Sequence, residues 1–152
     1  MIAAARNLVT HFRKSPKASA ALKRKQIQLQ EEVHNLIADV STRWNSTCEL
    51  LDRVVEQRWP VVAVLSDPSI TKKKDQNLDL TTDQWKLAEE VVGVLKPLIT
   101  LTEQFSLETN VSLSATIPML SNLKKRVMMP NPDDSPAIRD LKKAITTDID
   151  TR

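Results

Sequence analysis

The chain has 152 residues, 41% of them apolar and 27% charged, with 22 Lys plus Arg against 19 Asp plus Glu. A chain of this length can bury one hydrophobic core. Its single glycine excludes the glycine-rich loops that cradle phosphates, because those loops need several residues without a Cβ. One cysteine and two histidines exclude an internal disulfide and a four-ligand structural zinc site. No apolar run approaches the about 18 residues that span a bilayer.

The net charge of +3 is unevenly distributed along the chain. Residues 1–30 contain seven basic side chains and no acidic one, so the remaining 122 residues carry 15 basic against 19 acidic side chains. A basic arm on a mildly acidic body fits contact with nucleic acid or another polyanion. The alternative is a solvated helical face, which is the more frequent origin of such a run.

The spacing of apolar residues predicts helices along the whole chain, with no alternating strand and no internal repeat. A short first helix carries Leu8 and Phe12 on its apolar side. Ser15-Pro16 is typical of a helix start, because serine caps free N–H groups and proline lacks one. Apolar residues spaced three, four and seven apart predict that the second helix continues to Ile37.

A third helix is predicted to begin near residues 42–46 and to bury one apolar side. Pro60 is expected to break or bend it, and the β-branched run 61–65 that follows is ambiguous between helix and strand. Residues 66–80 have no usable period and are predicted to form a loop, in which the run Lys72-Lys73-Lys74 is solvated.

Thr81 with Gln84 three residues on has the form of a capping box, which satisfies two free N–H groups at a helix start. The helix that it opens carries the longest apolar row of the chain, and Pro97 is expected to kink or divide that helix. A further helix ends at Pro130-Asn131-Pro132, and Ser135-Pro136 opens the last one. The predicted fold is therefore all-α, an irregular helical bundle.

The most informative stretch is DVSTRWNSTCELLDRV, residues 39–54, in whose first part polar residues surround Arg43 and Trp44. It closely resembles the Arg-Trp block of hAT-superfamily transposases and of the BED zinc-finger (ZBED-like) proteins that descend from them. RNLVTHFRKSPKASAALKRKQ, residues 6–26, is similar to the segment that precedes this block in the family. LTTDQWKLAEEVVGVLKPLITLTEQFS (80–106) and SLSATIPMLSNL (112–123) are similar to the helices that follow it. The resemblance covers about residues 6–127.

The resemblance implies a place within a larger protein. These transposases have an RNase H-like fold whose catalytic carboxylates, two Asp and one Glu, hold divalent metal ions, and a helical domain is inserted between the second Asp and the Glu. The resemblance makes residues 1–129 the first part of that insertion and residues 130–152 a partial, truncated helical extension. The catalytic carboxylates would lie outside this chain, so we expect it to be no enzyme, to hold no metal or other cofactor, and to act in the nucleus.

The tryptophan of the block is associated in the family with stacking on a base that is flipped out of the DNA. Base–aromatic stacking contributes about 1–3 kcal/mol, and an arginine can hold a phosphate by two hydrogen bonds. The predicted nucleic-acid-binding residues are Arg43, Trp44, Asn45, Ser46, Lys23, Arg24 and Lys25. In the structural alternative, Trp44 is wedged between helices and Arg43 pairs with Asp39, which is itself expected to be a cap or an ion-pair partner and not a catalytic carboxylate.

The other candidate residues are predicted to be structural. Trp59 and Trp85 lie in apolar rows and are expected in the core. His11 and His34 have no second ligand three or four residues away, and Cys48 is expected to act as a small buried hydrophobe.

Two functions from different classes follow from the sequence. The first is a non-catalytic helical segment of an hAT transposase-derived, ZBED-like nuclear protein, with DNA as the ancestral partner in strand transfer. The alternative is a protein–protein interaction scaffold that has lost DNA binding. Self-association is expected if apolar faces are uncovered, and the family's C-terminal dimerisation segment has no counterpart here. Neither a membrane nor a small-molecule substrate is expected as a partner.

Overall fold

The computed structural model describes residues 1–40, 42–107 and 113–151, with the backbone alone at residues 44, 107 and 113–116. Within these ranges the chain has seven α-helices, one 3₁₀ turn, one π-helical turn and no strand, which confirms the predicted all-α class. The α-helices are α1 (Ile2–Lys14), α2 (Pro16–Gln28), α3 (Trp44–Glu56), α4 (Arg58–Leu65), α5 (Thr82–Leu107), α6 (Leu113–Leu123) and α7 (Pro136–Thr151). No helix in the described ranges has the length and apolar character to cross a membrane.

The chain divides into two compact units, Met1–Glu89 and Glu90–Arg152. In the first unit α1 packs on α2 and α3, α2 also packs on α4, and the 3₁₀ turn Gln76–Leu78 contacts α1. In the second unit the π-helical turn Lys124–Met128 follows α6 directly and contacts α7. The boundary that the family resemblance predicts, between residues 1–129 and 130–152, is a different division and stays a prediction.

The centre of the core of the first unit is formed by one apolar face of each of the helices α1, α3 and α4. The side chains at its centre have less than 3% of their surface exposed: Leu8, Val9, Phe12, Leu50, Leu51, Val54, Val61 and Val64. Because they recur at spacings of three or four residues, they form one stripe on each helix. Complete burial of such a side chain contributes about 1.5–3 kcal/mol, so these stripes supply the main force that holds the helices together.

The helix starts follow their local signals. Ala18 N–H donates to Ser15 Oγ at 3.2 Å, so Ser15 caps α2 as predicted. Thr81 N–H donates to Gln84 Oε1 at 3.1 Å and Gln84 N–H donates to Thr81 Oγ1 at 3.3 Å, which confirms the capping box before α5. These starts are predictable because each depends on residues within four positions of one another.

Pro60 and Pro97 behave differently. Pro60 lies in the first turn of α4, where its missing N–H breaks no helical hydrogen bond, and the ambiguous run 61–65 is therefore helical. Pro97 lies inside α5, which continues across it to Leu107. Pro97 therefore does not divide this helix, and the alternative of a kink at Pro97 stays a prediction.

The second helix ends at Gln28, nine residues before the predicted end at Ile37. Gln30 adopts a left-handed backbone conformation, with φ of 59°. Its N–H donates to the Ile27 carbonyl at 3.1 Å, and Glu31 N–H donates to the Gln26 carbonyl at 2.9 Å. This pair of bonds is the Schellman arrangement that ends a helix and redirects the chain. The apolar pattern failed as a predictor here because it continues through a segment, residues 31–40, that is not helical.

Two buried glutamines hold the segment 31–40 against the helices. Gln26 Nε2 donates to Gln57 Oε1 at 2.6 Å and to the His34 carbonyl oxygen at 2.8 Å. Gln57 Nε2 donates to the Glu32 carbonyl oxygen at 3.3 Å. Both glutamine side chains are buried, and the carbonyls that they reach have no helical partner. The amides therefore satisfy backbone groups that would otherwise be costly to bury.

Replacing Gln30 with glycine should stabilise the chain. A residue with a Cβ loses about 1–2 kcal/mol in the left-handed region, and about 0.5–1 kcal/mol of that should remain after the greater conformational freedom of unfolded glycine is counted. The matched control is Gln28→Gly, two residues earlier on α2, which should destabilise the chain by about 0.5–1 kcal/mol. Urea denaturation measures both changes, and a loss of stability in both variants would contradict the role of Gln30.

Candidate nucleic-acid interface

The Arg-Trp block folds around the carboxylate of Asp39. Arg6 Nε, on α1, donates to Asp39 Oδ2 at 2.5 Å, and a second guanidinium nitrogen of Arg6 contacts the same oxygen. Ser46 Oγ donates to Asp39 Oδ1 at 2.5 Å, and Thr47 Oγ1 lies 3.2 Å from both oxygens. Only 4% of the Asp39 side chain is exposed, so these bonds replace the water that it has lost. One buried charge thus joins α1, the segment 31–40 and the start of α3.

These contacts lower the pKa of Asp39 below its ordinary value. The hydrogen bond from Ser46 is the largest cause, burial acts in the opposite direction, and the hydrogen bonds from Arg6 and Thr47 and the charge of Arg6 add to the lowering. Asp39 is therefore ionised at neutral pH and paired with Arg6. The alternative in which Arg43 pairs with Asp39 is wrong, because the partner arginine comes from α1, 33 residues away.

Ser46 organises the start of α3 from within. Its side chain is buried, and its Oγ accepts a hydrogen bond from Val40 N–H at 2.9 Å. The same oxygen lies 2.8 Å from the carbonyl oxygens of Val40 and Arg43. A hydroxyl has one proton, and the carboxylate of Asp39 is the strongest of its acceptors. Ser46 therefore holds the turn before α3, and its contact with nucleic acid stays a prediction.

Arg43 lies on the solvent-exposed side of the Arg-Trp block. Its side chain is exposed and makes no hydrogen bond or ion pair with any residue whose side chain the structure describes. It precedes the first residue of α3, a helix that has no side-chain cap. The first N–H groups of such a helix and an arginine offer donors to the same anion. The Trp44 side chain lies outside the described side chains, so its exposure stays a prediction.

A concave region of about 520 Å³ borders Arg43. Its lining consists of Ile37, Ala38, Val40, Thr42, Arg43, Asn45, Ser46 and Glu49. The Oδ1 atom of Asn45 is buried and has no hydrogen-bond partner in the described part of the chain. A buried amide oxygen without a partner is costly, so a ligand donor in this region would be favoured.

The basic run Lys23-Arg24-Lys25 does not form one patch. Lys23 lines a concave region of about 220 Å³ together with Arg13 of α1. Arg24 is seven residues from Lys17, and residues seven apart share one face of a helix. Lys25 Nζ donates to Gln28 Oε1 at 3.3 Å. None of the three lines the region beside Arg43, and their contact with nucleic acid stays a prediction.

The prediction that Trp59 is a core residue was wrong, because 63% of this residue is exposed. The Arg58 guanidinium lies 5.1 Å from the ring centroid of Trp59 and 5.2 Å from that of Trp85, and it pairs with Glu89 at 3.0 Å. Trp85 is buried as predicted, and its indole N–H donates to Asp79 at 3.3 Å. Because α3 ends at Glu56 and α4 begins at Arg58, the apolar face of α4 does not continue that of α3. The spacing of apolar residues alone could not reveal this change.

His34 has acidic neighbours that local spacing could not show. Its Nδ1 lies 2.8 Å from Glu56 Oε1, and its Nε2 lies 3.7 Å from a carboxylate oxygen of Glu32. Glu56 also accepts from Arg53 Nε at 2.9 Å. These residues are exposed or half-buried, and the arginine already occupies one oxygen of Glu56. These polar contacts, which include the ion pair of Arg53 with Glu56, tie the segment 31–40 to the end of α3.

Comparison with known proteins identifies relatives of the chain. Residues 1–94 match the family model described as the ZBED1 RNase-like helical domain. The chain is 26% identical over 129 residues to human zinc finger BED domain-containing protein 4, which covers 85% of this chain and 10% of that protein. It is 31% identical over 123 residues to zinc finger BED domain-containing protein 6 of mouse and of human, which covers 81% of this chain and 12% of each relative. The chain thus spans about a tenth of the length of these relatives. No solved structure gives a significant match.

Replacing Asp39 with asparagine should destabilise the chain at neutral pH. The buried site would lose charge-assisted bonds to Arg6 and Ser46, at a cost of about 1–3 kcal/mol. The folded-state pKa of Asp39 lies below its ordinary value of 3.8, so this contribution is complete above that value and disappears as the pH falls through the folded-state pKa. The difference in unfolding free energy between wild type and Asp39→Asn should therefore shrink below about pH 4.

Urea denaturation at a series of pH values measures this difference. Glu49→Gln is the matched control, because Glu49 is exposed on α3 and its substitution should change stability by no more than about 0.5 kcal/mol. A difference that did not change with pH would show that Asp39 is not held as a carboxylate.

Proposed function

The chain belongs to the ZBED1 RNase-like helical domain family, and on that premise we propose that it is a non-catalytic, DNA-binding helical segment of a nuclear protein derived from an hAT transposase. In this proposal residues 1–129 are the first part of the helical insertion, and DNA meets the block on the side of Arg43. The observation that carries the proposal is the exposed guanidinium of Arg43, which has no described partner and stands before the uncapped start of α3.

A DNA phosphate fits the donors on this side of the block. A guanidinium can donate two parallel hydrogen bonds to phosphate, and the positive end of a helix dipole adds a favourable charge. Thr42 is exposed beside Arg43 and offers a hydroxyl. Asn45 lines the same concave region, and its side-chain amide carries both donors and an acceptor. In this arrangement Ser46 does not contact DNA itself; it holds the turn that contains Arg43.

We propose that Trp44 stacks on an unpaired base next to the phosphate that Arg43 binds. Consecutive Cα atoms lie about 3.8 Å apart, so the two residues can contact one nucleotide. Stacking on an aromatic ring does not depend on the identity of the base. It requires a base outside the duplex, which a single-stranded flank supplies.

The non-catalytic assignment is supported by the state of Asp39. Catalysis by two metal ions needs several carboxylates that converge on ions about 3.5–4 Å apart. Both oxygens of Asp39 are engaged by protein donors, and Arg6 compensates the charge. The Asp39 carboxylate thus serves protein donors and has the compensating charge of Arg6, and in the proposal the catalytic carboxylates lie outside this chain.

A protein–protein interaction scaffold is the second candidate function. It is favoured by large apolar side chains on the surface. Among the side chains that the structure describes, those with more than 60% exposure are Ile27, Trp59, Ile117 and Met129. Self-association through such residues belongs to this candidate, although single exposed apolar residues are common on protein surfaces.

Arg43→Gln should weaken binding to every DNA substrate and reduce the salt dependence of the association constant by about 0.9, because the substitution removes one bond to a phosphate. Arg53→Gln is the matched control, because Arg53 is paired with Glu56 on the same helix. Fluorescence anisotropy at several salt concentrations measures both quantities. Equal effects of the two substitutions would contradict the role of Arg43.

Trp44→Ala should lower affinity by about 5- to 150-fold for a hairpin with a single-stranded flank and leave a fully paired duplex unchanged, since stacking contributes about 1–3 kcal/mol. The control is Trp59→Ala, which removes another tryptophan of the same unit. Negligible binding by wild type at physiological salt, or a Trp44→Ala variant that changes only the melting temperature, would favour the scaffold.

A further inference from the structure

The segment that follows α4 folds back on α2. Lys17 Nζ, on α2, donates to the Ser69 carbonyl oxygen at 2.7 Å. Hydrogen bonds from Ser69 are the main cause that lowers the pKa of Asp67, and the charges of Lys25 and Lys17 contribute to the same lowering. Both lysines thus favour the ionised form of Asp67. The region that the sequence predicts to be a loop is docked against the basic helix.

Hydrogen bonds to the end of α4 and within the segment itself also hold it in place. Thr71 is buried, and its Oγ1 donates to the Val64 carbonyl oxygen at the end of α4 at 2.8 Å. Thr71 N–H donates to the Asp67 carbonyl at 2.9 Å. Asp67 Oδ1 accepts from the N–H and the hydroxyl of Ser69 at 2.9 and 2.6 Å. Residues 67–71 thus form a turn whose polar groups are satisfied.

The run Lys72-Lys73-Lys74 is exposed and follows the turn that Lys17 of α2 contacts at Ser69. The run follows Thr71 directly, and Asp75 N–H donates to the Lys72 carbonyl at 2.8 Å, which keeps the three lysines in a turn. A chain extends by at most about 3.6 Å per residue, so the first of these lysines lies within about 11 Å of Ser69. At 0.01 M salt the Debye length is about 30 Å, so at low salt the potentials of Lys17 and of this run overlap.

Together these side chains form a cationic area that we call the lysine surface. Its members are Lys17, Arg24, Lys25, Lys72, Lys73 and Lys74. Helix α2 contains no acidic residue, and residues 66–75 contain only Asp67 and Asp75, so these two segments together carry an excess of positive charge. An excess of this kind raises the local concentration of polyanions. The separate lysines of the sequence thus become one surface only in the folded chain.

We propose that the lysine surface binds the sugar–phosphate backbone of duplex DNA, as a contact independent of base sequence; this inference rests on the proposed DNA-binding function. Lysine ammonium groups are point charges that attract phosphates without reading bases. No aromatic side chain belongs to this surface, so it offers no stacking. The surface would add affinity and orientation to the contact made by Arg43.

The test compares the full chain with the variant Lys72→Gln/Lys73→Gln/Lys74→Gln on a fully paired duplex, which does not engage stacking. Each phosphate contact contributes about 0.9 to the salt slope of the association constant, so the slope should fall by about 2–3. The control is Lys125→Gln/Arg126→Gln/Lys143→Gln, which removes the same charge from exposed positions of the second unit. This control should reduce the slope by less than about 0.9, the contribution of one phosphate contact. The melting temperature of both variants should equal that of wild type, because every substituted side chain is exposed.

The outcomes separate the two proposals. A larger fall in slope for the lysine variant than for the control supports the lysine surface, and Arg24→Gln should then lower the slope by about one further phosphate's share. Equal falls would overturn this inference, while a specific effect of Arg43→Gln would still support the proposed function. Absence of binding by wild type would overturn both. Tighter binding to duplex RNA than to duplex DNA would overturn the assignment to DNA.

Discussion

The carboxylate of Asp39 is the interaction on which the geometry of the Arg-Trp block depends. An ionised carboxylate out of contact with water costs several kcal/mol unless charged and polar partners compensate it. Here the partners come from two helices: Arg6 from α1, and Ser46 and Thr47 from α3. Because both sets of donors are needed at one point, the two helices and the chain between them are fixed together. The same arrangement leaves Arg43 without a described partner and directed to solvent.

The other end of the segment between α2 and α3 is fixed by neutral hydrogen bonds. Gln26 and Gln57 reach the carbonyls of His34 and Glu32, and the cluster of His34 with Glu56 reinforces this contact at the surface. A segment without helix or strand is thus held at its start by amides and at its end by a carboxylate. Such support pre-organises the residues that follow, which reduces the conformational entropy lost when a ligand binds.

The proposed contacts with DNA divide into two kinds. Arg43 lines a concave region that offers hydrogen-bonding groups, and Trp44 is its neighbour in the chain; the partner proposed for these two residues is one nucleotide outside the duplex. The lysine surface has charge but no aromatic ring, which suits the regular phosphates of a duplex. In the proposal the lysine surface sets position and salt dependence, and Arg43 with Trp44 acts where the strands separate. Both lie within the unit Met1–Glu89, most of the region that matches the family.

The sequence by itself determined the all-α class, the helix starts at Ser15-Pro16 and at Thr81, and the family, because these depend on residues that are neighbours in the chain. It did not determine where α2 ends, because the apolar period continues past Gln30, whose left-handed conformation stops the helix. Nor could it show the exposure of Trp59 or the pairing of Asp39 with Arg6, 33 residues away. The tertiary structure decided these features and the position of the lysine run, because each depends on which helix faces are brought together.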